Sequence, residues 1–203
     1  HQASFTPQQL VLVQQADLVI WLGADAEPYL VPYLAHRKRP ALALLQQPGV
    51  TPLRETGGQA ADLDPHLWLN PEFLVSLLPN LVRAGTRLGL PQAALAKQAS
   101  VVQQRFANMV TVARQQLQPV ARVPWLSYHN PWHYLQVLLG LAPALTVEQQ
   151  LGVETGSRHF LQLASAMSRE KVRCGLLEPE ARKAVMEKLC QGPTCHLLAL
   201  DPL

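Results

Sequence analysis

The sequence predicts an α/β fold of two lobes, each built on a parallel sheet, with one long backbone helix joining them. Three observations predict it. Short apolar runs alternate with stretches of helical period along the chain, which is the pattern of parallel strands connected by helical crossovers. One periodic stretch in the middle of the chain, Leu95, Ala99, Val102, Phe106, Met109, Ala113 and Leu117, steps by three and four on a single face. The 203 residues, 48% of them apolar, are enough for one large domain or two small lobes with a true core.

The elements follow in order. Thr6-Pro7-Gln8-Gln9 starts a helix, with Thr6 as cap, Pro7 at the first helical position and Gln9 closing a capping box; the helix continues to Ala16. Leu18 to Leu22 is a compact apolar run ended by Gly23, which suits a buried strand better than so short a helix. Ala26 to Lys38 reads as a helix with an irregularity at Pro32, and Ala41 to Leu45 as the next strand. Gln46 to Pro65 is a loop by composition, rich in Gly, Pro, Thr and Asp. Asn70 caps a helix that opens at Pro71 and runs to about Leu88. After Gly89, the long helix extends from about Gln92 to Gln118, roughly 40 Å at about 1.5 Å per residue.

Beyond it the alternation resumes. Strands are expected near 123–128, 144–147, 174–177 and 196–200, and helices at 131–139, 157–167 and 180–189. The division is therefore an N-terminal lobe over 1–90, a linking helix over 91–119 and a C-terminal lobe over 120–203. No sequence period of 20 to 50 residues relates the lobes.

Composition excludes several functions. A formal charge of +3 with 15% charged residues does not draw nucleic acid by bulk charge. No apolar stretch approaches the roughly 20 residues of a membrane helix, so a soluble chain is expected. The chain begins at His1 rather than Met and ends at Asp201-Pro202-Leu203 just after an apolar run, so it reads as processed or truncated at both ends. Cys174, Cys190 and Cys195 are an odd number: at least one thiol is free or paired outside the chain. A Cys190–Cys195 bridge is sterically feasible, and the spacing does not match a cysteine zinc site.

Parallel sheets place ligands beyond the carboxyl ends of their strands, in the loops that lead into helices. His66 and His129 precede the helix starts at Asn70-Pro71 and Asn130-Pro131, His1 precedes Thr6-Pro7, and Asp201 follows the run Leu197 to Leu200. Three imidazoles and a carboxylate make a nitrogen and oxygen site for a divalent metal, zinc above all. Rival readings are weaker. His129 and His133 have the spacing of a zinc-protease pair, yet Pro131 leaves His129 outside the helix, and Asn130 stands where that motif needs a glutamate. His36, in His36-Arg37-Lys38-Arg39, reads as a solvated helix end, and His159 and His196 as packing or surface groups. His133 is either a partner beside the site or a surface residue. Asp62 and Asp64 can bind metal or shape the turn at Pro65, and turn chemistry is preferred. Glu178-Pro179-Glu180 faces the same strand edge or supplies acids to a helix N-terminus. Ser127 and Ser157 lack a base and orienter at defined spacing, and no glycine-rich phosphate loop occurs.

At this point the chain resembles, over essentially its whole length, the cluster A-I metal-binding receptors, the periplasmic zinc-binding proteins of ABC importers. His1 with Ser4 and Pro7, leading to Ala16-Asp17-Leu18-Val19, is similar to the first ligand segment of that family. His66-Leu67-Trp68-Leu69-Asn70-Pro71-Glu72 is the most specific motif and implies His66 as second ligand. Ser127-Tyr128-His129-Asn130, with Trp132 and Tyr134, resembles the third ligand segment, where zinc-type members carry histidine and manganese-type members usually glutamate. Leu200-Asp201-Pro202-Leu203 resembles the segment whose aspartate is fourth ligand or close neighbour.

The resemblance implies metal in the cleft between the lobes, a monomeric receptor in the periplasm or outside the cytoplasmic membrane, and delivery of Zn(II) to a membrane permease. Members carry a strand before the first histidine and helices after the last segment, both missing here, and zinc-type members often hold a histidine-rich loop where Arg54 to Pro65 has none. The position of Cys174 resembles one that pairs with a C-terminal cysteine, a partner beyond residue 203. Four protein ligands leave no coordination position for a reacting water, which marks binding rather than catalysis. Protonated imidazole cannot coordinate, so metal release is expected as pH falls through about 6. The alternatives are a receptor for manganese or another divalent metal, an adhesin-like use of the fold, and a zinc enzyme with an open three-histidine site should Asp201 not coordinate. A copper centre at the amino group of His1 belongs to β-sandwich enzymes, unlike this helix-rich pattern.

Overall fold

The structure is a computed structural model that describes residues 5–55, 63–148 and 156–203. His1 and Asp62 lie outside the described residues, as do Ser4 and Gly57-Gly58. The chain divides into two compact units: one contains the elements up to Met109, the other the elements from Val110 onward.

In the first unit, α1 (Pro7–Gln15) starts as its sequence dictates. The Thr6 hydroxyl accepts from the Gln9 amide at 3.2 Å and the Gln9 side chain accepts from the Thr6 amide at 2.9 Å, satisfying two donors that the first turn leaves unpaired. Strands β1 (Val19–Trp21) and β2 (Ala41–Ala43) pair in parallel, Val19 opposite Ala41 and Trp21 opposite Ala43. The helix expected over 26–38 is instead a 3₁₀ turn, Pro28–Leu30, followed by the four-residue α2 (Val31–Leu34). Two prolines remove backbone donors there, and the basic run leaves the helix for another task. The Arg37 guanidinium donates to the carbonyls of Val13, Gln14 and Ala16, and Arg39 to that of Gln15. These are the orphan acceptors at the end of α1, so the run expected as a solvated end of its own helix caps a different one.

Helix α3 (Pro71–Arg87) is capped by Asn70, whose side-chain oxygen accepts from the Glu72 and Phe73 amides at 3.1 and 3.2 Å. Phe73, Leu77 and Asn80 step by four and three, and they line its buried face. Helix α4 (Gln92–Leu117) is 26 residues long, within one residue of the sequence expectation, and buries only Val110. Its Ala- and Gln-rich composition without Gly or Pro sustains it through intrinsic propensity.

The second unit holds a four-stranded parallel sheet in the order β4-β3-β5-β6, formed by β3 (Leu126–Ser127), β4 (Leu145–Thr146), β5 (Cys174–Leu177) and β6 (His196–Ala199). Helices α5 (His133–Leu139), α6 (Ser157–Arg169) and α7 (Lys183–Leu189) connect them. Leu126, Tyr128, Val147, Leu163, Met167, Val172, Met186 and Leu189 form the core. Gly175 lets β3, β5 and β6 close up: a Cβ there would lie 2.9 Å from Leu197 Cδ2 and 3.2 Å from the Leu126 carbonyl oxygen. A Cys190–Cys195 disulfide ties the end of α7 to the start of β6, and the Cys174 thiol is free and exposed. Among the described residues no helix is long and apolar enough to cross a membrane.

Candidate metal centre

In the first unit, the turn after Pro65 carries His66 as cap of a short 3₁₀ segment, Leu67–Leu69, with Leu67 fully buried beneath it. Asp64 is the organising residue. Its backbone N–H donates to Leu53 O at 2.8 Å, which anchors the segment, and its Oδ1 accepts from the His66 amide at 3.0 Å. The same oxygen lies 2.7 Å from His66 Nδ1. Asp64 is 2% exposed, so this is a carboxylate drawn out of water to face an imidazole. An ionised carboxylate only accepts, so Nδ1 carries the proton of this bond, and in a neutral imidazole that leaves the lone pair on Nε2. The Trp68 ring packs edge-on at 5.3 Å between centroids and further limits the rotation of the imidazole. The preferred turn role of Asp64 holds for its bond to the backbone; the bond to the ring is a second role that the Asp64-Pro65-His66 spacing also allows.

In the second unit, His129 lies two residues past the end of β3 and is buried. Its segment continues the ladder beyond the short strand, since the Val147 amide donates to Ser127 O at 3.1 Å and the Glu148 amide to Tyr128 O at 2.7 Å. Pro131 and Trp132 form a turn, so α5 begins at His133 rather than at Pro131; His129 and His133 do not share a helical face. Asp201 stands just past β6, exposed, with Oδ1 accepting from the Leu203 amide at 3.0 Å. His159 Nε2 bonds the Thr146 carbonyl at 3.1 Å, a packing role, and His196 and His36 are exposed.

Glu178 corrects one expectation. Helix α7 starts at Lys183, so Glu178 is no helix N-terminal acid: it turns inward from the end of β5 and is 1% exposed. Its Oε1 is 2.5 Å from the Ser127 hydroxyl, which is also 2.5 Å from the His129 carbonyl oxygen. Burial pushes the Glu178 carboxyl above the ordinary carboxylate range, and the charge of Glu180 adds to it. The Ser127 bond and the amides of Glu178 and Tyr128 act in the opposite direction.

Among the described residues no group of three or more His, Cys, Asp and Glu is placed to hold a metal ion, and His1 lies outside them. The structure thus brings His66 together with Asp64, and His129 with Ser127 and, through it, Glu178.

The whole chain, residues 1–203, matches the family model described as zinc-uptake complex component A, periplasmic. The chain belongs to that family. It is 24% identical over 241 residues to the high-affinity zinc uptake system protein ZnuA of Yersinia pestis, covering 100% of this chain and 72% of that protein. The corresponding protein of Haemophilus ducreyi is 20% identical over 229 residues, with 100% and 74% covered. Among solved structures, a crystal structure of ZnuA superposes with a TM-score of 0.87 at 20% identity, over 100% of this chain and 78% of that one. The laminin-binding adhesin Lmb of Streptococcus agalactiae, in a mutant structure, gives 0.82 at 17% identity over 100% and 77%. The α/β fold with parallel sheets is that of these two-lobed proteins. Membership places the chain among the solute-binding components of zinc uptake systems for ABC import, and it is not an enzyme.

Proposed function

We propose that this protein captures Zn(II) with His1, His66, His129 and Asp201 as ligands and, as a monomer in the periplasm, passes it to the permease of an ABC importer. In this reading residues 1–90 and 120–203 are the two lobes and 91–119 the helix that links them. The observation that carries it is the Asp64–His66 pair. A zinc-ligating imidazole donates its other ring N–H to a carboxylate or carbonyl, which fixes the tautomer and raises the basicity of the coordinating nitrogen, and the 2.7 Å bond to Asp64 has that form. Three neutral imidazoles with one carboxylate favour zinc over manganese, and four protein ligands close the shell against a reacting water. The zinc uptake named for the Yersinia pestis and Haemophilus ducreyi relatives agrees with this cargo.

The test is zinc titration of metal-stripped protein against a competing chelator, with X-ray absorption of the loaded form. One-to-one binding with a closed nitrogen and oxygen shell is expected, and Asp201→Ala should weaken it. Unchanged affinity in Asp201→Ala removes that residue from the ligand set, and tighter binding of manganese than of zinc overturns the assignment of cargo.

A further inference from the structure

The Ser127 hydroxyl has one proton and two acceptors. The His129 carbonyl oxygen and Glu178 Oε1 each lie 2.5 Å from Oγ, and a carbonyl oxygen never donates. With Glu178 ionised, whichever way the hydroxyl points, one of these contacts brings two oxygens together at hydrogen-bond distance with no hydrogen between them. With Glu178 protonated on Oε1, both contacts become hydrogen bonds: the acid donates to Oγ, and Oγ donates to the His129 carbonyl. Glu178 is 1% exposed, and among the described residues its Oε2 is buried with no hydrogen-bond partner, a position that a neutral carbonyl oxygen tolerates far better than an ionised carboxylate. Burial outweighs the amides of Glu178 and Tyr128, which favour the charged form.

The loop that this arrangement grips needs an outside tie. Strand β3 spans only two residues, and α5 starts at His133 with no side-chain cap from Trp132 before it. Leu176, two residues before Glu178 on β5, is in register with Ser127, so the neighbouring strand delivers the carboxyl to the base of the loop. We propose that Glu178 is a positioning residue for zinc capture, its uncharged carboxyl holding Ser127, and Ser127 the His129 carbonyl, so that the loop after β3 is set before metal arrives. The upward push on the carboxyl by burial supports this. The inference rests on His129 being a zinc ligand, as proposed above.

The experiment has a spectroscopic arm and an affinity arm. Infrared difference spectra of the metal-stripped protein at neutral pH, wild type against Glu178→Gln, should contain the carbonyl band of a protonated carboxylic acid that the variant lacks. A difference confined to carboxylate bands overturns the uncharged relay. In chelator competition, Glu178→Gln, whose amide N–H replaces the acid proton, should bind zinc as the wild type does, while Glu178→Leu and Ser127→Ala should each bind about tenfold more weakly. Should Glu178→Leu not fold, Ser127→Ala carries this arm alone. Loss of affinity in Glu178→Gln, or wild-type affinity in Ser127→Ala, overturns the proposal. A wild-type affinity in His129→Ala refutes the ligand assignment instead, and the infrared band tests the relay independently of it.

Discussion

Replacing Asp64 by alanine separates the orienting role proposed for it at His66 from its contribution to the stability of the fold. The variant loses the 2.7 Å bond to His66 Nδ1 and the 3.0 Å bond to the His66 amide together. The first is a charge-assisted bond to a carboxylate only 2% exposed, so water does little to screen it. Losing such an outer partner of a metal-ligating histidine costs about 10- to 100-fold in affinity, or about 1.4 to 2.8 kcal/mol at about 1.4 kcal/mol per decade. The metal-stripped protein should also lose about 2 to 3 kcal/mol of stability, since two bonds to a charged group disappear. Chelator competition reads the first quantity and urea denaturation of the stripped protein the second. Asp64→Asn keeps an acceptor oxygen without its charge and should fall between wild type and alanine in both. An alanine variant that is destabilised yet binds zinc with wild-type affinity would refute the orienting role, leaving Asp64 as a turn residue alone.

Other outcomes follow from the same structure. Because the Glu178 carboxyl is held above its unfolded value of about 4.3, the folded state binds a proton that the unfolded state has released; this contribution is full below that pH and is lost as pH rises through the raised folded value. Urea stability of the wild type relative to Glu178→Gln should therefore decline as pH rises from about 4, and a difference independent of pH would contradict the shift. Replacing both Cys190 and Cys195 by serine opens a short loop, with a sequence separation of 5, and should lower the unfolding free energy by about 2 kcal/mol on the chain-entropy scale. An unchanged urea midpoint counts against that scale here. Gly175→Ala places a methyl group 3.2 Å from the Leu126 carbonyl and 2.9 Å from Leu197 Cδ2, so thermal denaturation should reveal a loss of about 1 to 3 kcal/mol. Wild-type stability would mean that the strands can move apart without cost.

What was legible in the sequence was what short-range chemistry determines. Thr6-Pro7-Gln8-Gln9 and Asn70-Pro71 contain their helix starts in consecutive residues, and both starts stand where expected. The period of α4 likewise needs no partner to be read. The failures are long-range. Nothing local indicates that Arg37 reaches back to the end of α1 instead of extending its own helix. Nor does the sequence around Glu178 and Pro179 show that the acid turns under β3, which delays α7 to Lys183. His66 and His129 are candidate ligands because they precede helix starts, and Asp201 because it follows an apolar run, a reading that rests on parallel-sheet geometry. The bonds that orient the rings depend on which side chains the fold brings alongside. Asp64 was visible as a turn former, whereas its hold on Nδ1 is a tertiary fact even across two residues. The Cys190–Cys195 pairing, open on counting alone, was decided by the approach of α7 to β6.

Every hydrogen-bonded strand pair in the described chain is parallel, and this governs how the protein reaches its fold. Parallel neighbours cannot zip up from a hairpin turn: each ladder must wait until the intervening helix or loop has brought distant residues together. Ser127 meets Leu176 and Val19 meets Ala41 only after that loop-closure entropy has been met. Folding should accordingly lie toward the slow end for a chain of this size, with α4 and the other helices formed before any sheet, and the unpaired strands β3 and β5 are the segments most exposed to mispairing in the interval.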